Sequence, residues 1–520
     1  MNTLNVISEC RRGKGKIFDK RKENKRIHTM QGIISIKWTY VLKRIQALFW
    51  GKGRPFMRMK KSLLLLAVTV IFIIGASHLV TKKIASRSED GGSQINQGQT
   101  QSETIPPIDD ETFLDTSDSI RVALHTTGFR SLYHSAVTIV SDTDYEVKIG
   151  EEVIEKSAGE SSAFQDMSEV AEIQSVEENG QLTVLSIERN GEAPSYRGKI
   201  TLYPEKGKIV VVNELSMEEY LYGVIPSEMP VSYGEEALKL QAVSARSYAM
   251  EAKNKSTYEA YHADVVDSTA SQVYKNTKED GRANQAVRDT KGQILMNGDS
   301  IATTYFFSTS CGYTTNSSDV WFSNGTERAP EYLTGHFQGA EELTLNLKKE
   351  KDFRSFIRSP ESYDTFEKED TWYRWTITEK KTSIIKSLKA NYPLEMKKIG
   401  TLKKISIVKR GIGGVAKVCK ITGTKGSFLI QKEYAIRKAL AVSGTKIYGQ
   451  NDKVMSVSSL LPSGYFYIEQ KKGNIIFHGG GFGHGVGMSQ TGAMRMAQAG
   501  YTWEEMAKHY FPGATIKTCY

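Results

Sequence analysis

Cysteine is scarce, and the few present follow no metal-binding spacing. Only Cys10, Cys311, Cys419 and Cys519 occur in 520 residues, with no C-x-x-C pair and no Cys/His pattern, so a zinc site is not supported. Cys10 precedes a long apolar segment, which leaves one disulfide among the other three or an unpaired thiol as equal alternatives. Cys311 has no histidine beside it in sequence to activate it and reads as a structural thiol. Nucleotide loops are missing too. The glycine stretch Gly479–Ala493 contains no G-x-G-x-x-G, and G-x-x-x-x-G-K-[ST] is absent from the chain. No internal repeat is evident. Positive charge is also lacking where a polyanion would need it. The net charge of +10 is concentrated in residues 1–61, which hold 17 Lys and Arg against 3 Asp and Glu, and the remainder, with 52 against 56, is mildly acidic. Nucleic acid is therefore not an expected partner.

What is present divides the chain. Hydrophobic residues at 39% with charged ones at 25% describe a globular protein with sizeable cores. Ser62–Val80 is almost uninterruptedly apolar and follows Arg54, Arg58, Lys60 and Lys61. About 20 apolar residues match the hydrocarbon core of a bilayer, and flanking cations keep the amino end inside. The reading is a transmembrane anchor over 62–81 at the cell membrane, with the C-terminal domain outside. A cleaved signal peptide is the alternative, although Gly75-Ala76-Ser77 matches A-x-A poorly. Residues 1–61 form a basic cytoplasmic segment, or precede a true start at Met57 or Met59. Residues 82–119, rich in Ser, Gln, Gly, Asp and Glu with Pro106-Pro107, have too little apolar surface to fold and read as a flexible linker.

From Ile120 onward the pattern is α+β: a mostly β body with a few packed helices, behind the N-terminal transmembrane helix and disordered linker. Short alternating runs separated by Gly, Asn and Asp turns fill 120–213. Ser216-Met217-Glu218-Glu219 is a capping box at a helix start. Glu235–Lys253 is helical, with a stripe of small residues that permits close packing. Arg246 on that helix is a substrate ligand or, more in keeping with arginine in a core, a salt-bridged scaffold residue. The charged stretch around 338–400, with Trp372 and Trp375, reads as an inserted lobe facing solvent, and the chain ends in a helix over Ala493–Tyr510.

Two segments carry the candidate chemistry. Ile225-Pro226-Ser227-Glu228-Met229-Pro230 sets one carboxyl between two prolines, which predicts Glu228 on a rigid loop at a helix start. There it is an aimed acid, or a carboxylate that merely favours the helix dipole. In Gly479–Ala493, His484 and Gln490 stand in backbone sparse enough to approach a ligand closely.

Glu214–Met229, Glu236–Ala249, Ser271–Tyr274, Thr309–Asn316 and Gly483–Ala493, five motifs in order, resemble the SpoIID/LytB family of cell-wall proteins. The resemblance covers Ile120 to the C-terminus and is weakest in 338–400. It implies a peptidoglycan lytic transglycosylase in cell-wall remodelling or sporulation, with Glu228 as catalytic acid and no cofactor. The alternative it implies is a non-catalytic, wall-binding enhancer of an N-acetylmuramoyl-L-alanine amidase, with that amidase and other membrane-bound wall-remodelling proteins as partners. Gln272 and Tyr274 are candidates to contact sugar hydroxyls or stack on a ring, and Ser308, Ser310 and Tyr313 to line the same cleft, with an architectural role the alternative for each. A two-carboxylate hydrolase would need a further acid, for which Asp264, Asp267 and Asp319 are candidates. A third reading is an exported adhesin using the tryptophan lobe. Sporulation members can carry zinc on a Cys-x4-His-Cys arrangement. The corresponding positions here, Val265, Ala270 and Ser271, cannot replace those ligands, and His262 stands alone.

Overall fold

The computed structural model describes residues 118–520 apart from 277, 324–326, 341–342 and 457–458. The expected basic segment, anchor and linker lie outside the described residues, except the linker's last two. No helix among the described residues is long and apolar enough to cross a membrane.

Alternation with period two builds the amino-terminal body. Ser161–Gln165 buries Ser162 and Phe164 and exposes the residues between, as a strand with one wet face does. Seven strands form one sheet in the order Val265–Val266, Ser119–Leu124, Lys208–Ser216, Lys199–Glu205, Ala171–Ser175, Tyr145–Ile149, Glu152–Lys156. Every pairing is antiparallel except that of Val122–Ala123 with Val265–Val266. A second sheet of four strands, with Ala136–Ser141 and Leu182–Val184 at its centre, contributes Val137, Ile139 and Val184 to the same core.

Strand Lys208–Ser216 runs straight into helix α1 (Met217–Glu228). The Ser216 hydroxyl accepts from Glu219 N–H while the Glu219 carboxylate accepts from Ser216 N–H, so the capping box stands where the sequence places it. Helix α2 (Glu235–Asn254) packs against α1, against α3 (Gly281–Asp289), against strand Gln293–Asn297 and against the two carboxy-terminal helices. With neighbours on so many sides it is buried nearly all round from Ala237 to Met250, not along one stripe.

Its polar residues therefore need partners inside the protein. Ser247 donates to the Val243 carbonyl at 2.7 Å and accepts from Leu295 N–H at 2.8 Å. Arg246, fully buried, holds Glu218 through Nε at 2.9 Å and Nη2 at 2.6 Å, and its remaining N–H groups reach the carbonyls of Gln293 and Val287. Glu218 in turn accepts from Gly292 N–H and the Tyr520 hydroxyl. This fork joins α1, α2, α3 and the chain end, so Arg246 is scaffold and not a ligand-facing residue.

A second core runs from Trp375 to Phe477, well past residue 400. It lies between a five-stranded sheet centred on Trp375–Lys380 and Asn474–Gly479, a three-stranded sheet of Leu402–Arg410, Ala416–Gly423 and Ser427–Gln431, and helices Lys381–Asn391 and Glu433–Leu440. Trp375 is buried in it with Nε1 on the Gly481 carbonyl, and Trp372 packs on Phe482 at 4.5 Å, so these two rings are structural and not a surface for a partner. Cys311 and Cys419 are buried free thiols, both pushed up to about 12 by desolvation, and Cys519 is free as well.

The expected final helix is two, Gln490–Gln498 and Trp503–Tyr510, followed by strand Thr515–Thr518. Gly500 at φ 89° and a new capping box, Thr502 with Glu505, break and restart it.

Arg246→Ala leaves the Glu218 carboxylate in a largely buried site without its cation. Loss of stability by about 3–5 kcal/mol is expected, read as a lowered denaturant midpoint, and Arg246→Lys restores only part because a point charge cannot make the fork.

Candidate active site

Helix α1 does not begin near Glu228; it ends there. Met229 returns to extended geometry at φ −128°, ψ 131°, with its N–H on the Ile225 carbonyl at 2.9 Å. Pro226 lies inside the last turn, where it withholds a bond, and the Ser227 hydroxyl adds one to the Gly223 carbonyl at 2.7 Å. A helix C-terminus is the negative end of the dipole, so a carboxylate here gains nothing from it. The dipole account of Glu228 is thereby removed.

Residues 272–275 run along this helix end. The Glu228 carboxylate accepts from Val273 N–H at 2.5 Å, and Ser227 Oγ accepts from Lys275 N–H at 3.1 Å. Gly223 makes the approach feasible, since a Cβ there would stand 2.3 Å from Asn276 Oδ1 and 2.5 Å from the Tyr274 ring. Desolvation pushes the Glu228 carboxyl up to about 7 against the opposing pull of Val273 N–H and the Lys275 charge.

The glycine stretch forms the opposite wall. Phe306–Phe307 pairs in parallel with Met488–Ser489, and Thr309 and Phe482 exchange backbone bonds at 3.1 and 2.7 Å. The glycines that suggest ligand access are instead filled by protein. A Cβ on Gly487, at φ 73°, would meet the Tyr305 carbonyl at 2.2 Å.

Between these walls lies a cleft of about 580 Å³ that Glu228, Gln272, Ser308, His484 and Gln490 all line. Gln490 Nε2 donates to the Glu228 main-chain carbonyl and to Gln241 Oε1, both at 3.1 Å, tying the glycine segment to the end of α1. Gln272 is nearly buried; its amide accepts from the Tyr220 hydroxyl at 3.2 Å and donates to the Ala245 carbonyl at 3.3 Å. His484 Nδ1 accepts from Val486 N–H at 3.1 Å, which puts the neutral ring's proton on Nε2. Desolvation and the charge of Arg437 push its pKa down to about 4, so it is neutral at pH 7.

Four sequence candidates do not line the cleft. Arg246 is in the scaffold fork. Tyr274 is fully buried between Tyr196 and Tyr220, its hydroxyl on Asn213. Ser310 is buried with Oγ accepting from Gly312 N–H. Tyr313, from the same motif, packs towards Phe337 outside the cleft.

The candidate second acids are engaged elsewhere: Asp264 with Arg121 at 2.7 Å, Asp267 with Arg189 at 2.7 Å, and Asp319 with Lys417 at 2.5 Å. Among the described residues lining the cleft, Glu228 is the one carboxyl group. At the positions corresponding to zinc ligands, Val265 and Ala270 offer no donor atom and Ser271 Oγ is occupied by Val266 N–H. These residues do not fit the metal.

Sequence reasoning missed the aromatic part of the wall: Tyr248, Tyr305, Phe307, Trp321 and Phe482. The only signal was composition, because the pairing of Phe306–Phe307 with a segment some 180 residues away places most of them. It also missed Glu367, fully buried beneath Gly492 and held up to about 7 because desolvation outweighs the hydroxyls of Ser310 and Ser489 beside it.

A cleft with aromatic walls, a neutral imidazole and one carboxyl raised towards neutrality defines a site that can hand a proton to an uncharged ligand. The family model described as Stage II sporulation protein matches residues 205–297, which include Glu228, and a domain of unknown function (DUF8618) matches residues 315–487. The amidase enhancer of Bacillus subtilis (strain 168) is 29% identical over 303 residues, 57% of this chain and 40% of that protein. Stage II sporulation protein D of the same organism is 29% identical over 320 residues, covering 59% and 75%. An uncharacterized protein of Brachyspira hyodysenteriae is 30% identical over 326 residues, covering 62% and 72%. The chain belongs to the SpoIID/LytB family. It spans about two fifths of the length of the amidase enhancer.

Because the folded Glu228 binds a proton more tightly than the ordinary value of 4.5, the native state loses stability as pH rises from about 4.5 to 7 and levels off above. Neutral-buried His484 and His509, both lowered, slope the other way, so the difference between wild type and Glu228→Gln isolates the carboxyl. Urea titrations at pH 4.5, 6 and 8 should show the variant gaining on the order of 3 kcal/mol relative to wild type. A constant difference would mean that Glu228 ionises at its ordinary value.

Proposed function

We propose that this chain is a membrane-anchored peptidoglycan lytic transglycosylase that cuts glycan strands during cell-wall remodelling or sporulation. The observation that carries the reading is the one carboxyl among the described residues of the cleft, raised towards neutrality by burial, with Asp264, Asp267 and Asp319 all committed to ion pairs away from it. Hydrolysis with two carboxylates would need a second acid facing Glu228. Transglycosylation needs one. Protonated Glu228 gives its proton to the glycosidic oxygen as the bond to the anomeric carbon breaks. The resulting carboxylate then takes the proton of the muramyl C6 hydroxyl as that oxygen closes on the same carbon. Atoms balance without water, and the acid is regenerated.

Gln490 and Gln272 act in this reading as positioning residues, since both bond to the protein rather than point free into the cleft. Residues 62–81 would hold the body at the outer face of the membrane. The resemblance to an amidase enhancer favours a second reading, in which the cleft binds the wall without cutting it and a separate amidase is the partner.

The full-length protein incubated with peptide-free glycan strands should release anhydromuramyl ends by mass spectrometry. Glu228→Gln should abolish release with the fold retained. Reducing ends would indicate a hydrolase, and no products with retained binding the enhancer. Since Glu228 must start protonated, kcat/KM should fall about tenfold per pH unit above pH 7.

A further inference from the structure

Trp321 is the only large exposed tryptophan among the described residues, 45% accessible, and it lines the same cleft as Glu228. Its neighbours in sequence explain how so apolar a ring is kept there. Val320 is buried in the main core, and Phe322 is buried with the Lys417 ammonium 4.8 Å from its ring. Lys417 also holds Asp319 at 2.5 Å, and Asp319 accepts from Ile412 N–H at 2.8 Å. The short turn Ser317–Val320 is thus pinned on both sides, and the indole is left facing the cleft with its backbone fixed. Tyr305 packs on it at 4.4 Å with the planes tilted by 39°, and His484, neutral, lies at 5.1 Å.

The result is a rigid, uncharged aromatic corner. A ring this exposed offers its apolar face to a ligand, and the negative π face attracts the polarised C–H groups on the apolar side of a sugar ring. Resting on the glycan reading above, we infer that Trp321 is a sugar-stacking subsite, binding the apolar face of a β-linked amino-sugar ring in the cleft that holds Glu228. Trp321 lies outside residues 205–297 and within 315–487. The acid and the platform therefore come from different matched segments, and the second one supplies substrate recognition.

The test separates binding from cleavage. In the full-length Glu228→Gln background, affinity for peptide-free glycan strands is measured for Trp321, Trp321→Phe and Trp321→Ala, together with the melting midpoint of each. Weakening by about tenfold for Ala but no more than about threefold for Phe, at unchanged melting midpoint, is expected. Equal weakening of both with a lowered midpoint, which marks a merely structural contact with Tyr305, overturns the inference. So does Ala binding as tightly as the parent, or a parent that binds no glycan. If Glu228→Gln alone still releases product while Trp321→Ala loses binding, the catalytic assignment fails and the stacking subsite stands.

Discussion

The cleft exists because one buried amide joins two segments 262 residues apart. Gln490 Nε2 reaches the Glu228 carbonyl and Gln241 Oε1, and with it the turn that leads into the carboxy-terminal helices is fastened to the last turn of α1. The carbonyl it satisfies is one of the four that a helix end leaves without a partner. The bond therefore does two things at once. It caps α1 and it sets the far wall of the cleft at a fixed distance from the Glu228 side chain. Val273 N–H on the carboxylate and Lys275 N–H on Ser227 fix the near wall in the same way.

The electrostatics of the carboxyl follow from that closure. Burial favours the protonated form; the Val273 N–H and the Lys275 charge favour the ionised one. Burial outweighs the other two and raises the group to about 7, which on the proposed reading suits a residue that first donates and then accepts a proton. His484 is settled on the other side of the balance. Its cation is excluded by burial and by Arg437, so no positive charge faces Glu228 from the glycine wall to drag its pKa down.

Much of this was legible in sequence wherever the signal is local. The capping box at Ser216 and Glu219, the alternating strands of the body and the long helix with its small residues all appear where they are read, because each depends on contacts within a few residues. Glu228, Gln272, Ser308, His484 and Gln490 share one cleft, although their motifs could only be placed side by side by resemblance. The errors have one cause, which is tertiary override. Pro226 reads as part of a rigid loop at a helix start, yet the last turn of α1 takes it in. The glycines read as room for a ligand, yet Tyr305 and its neighbours take that room. Trp321 carried no signal of its own, since exposure beside a cleft is set by Val320 and Phe322 sinking into the protein around it.

The two functional readings make different demands on this geometry. A module that only grips a glycan needs the aromatic corner and hydrogen-bonding groups, and any carboxylate in it would be better left solvated than desolvated at the negative end of a helix. Holding Glu228 there disfavours the charge, by a margin that its single backbone N–H partner does not offset. A desolvated acid that the Lys275 charge does not bring back to its ordinary value is an expensive arrangement for binding alone and a sensible one for proton transfer. The same reasoning sets the limits of the chemistry. With Asp264, Asp267 and Asp319 each paired with a basic partner elsewhere, Glu228 is the one carboxyl among the described residues lining the cleft, which supports the proposed reaction in which the substrate supplies its own nucleophile.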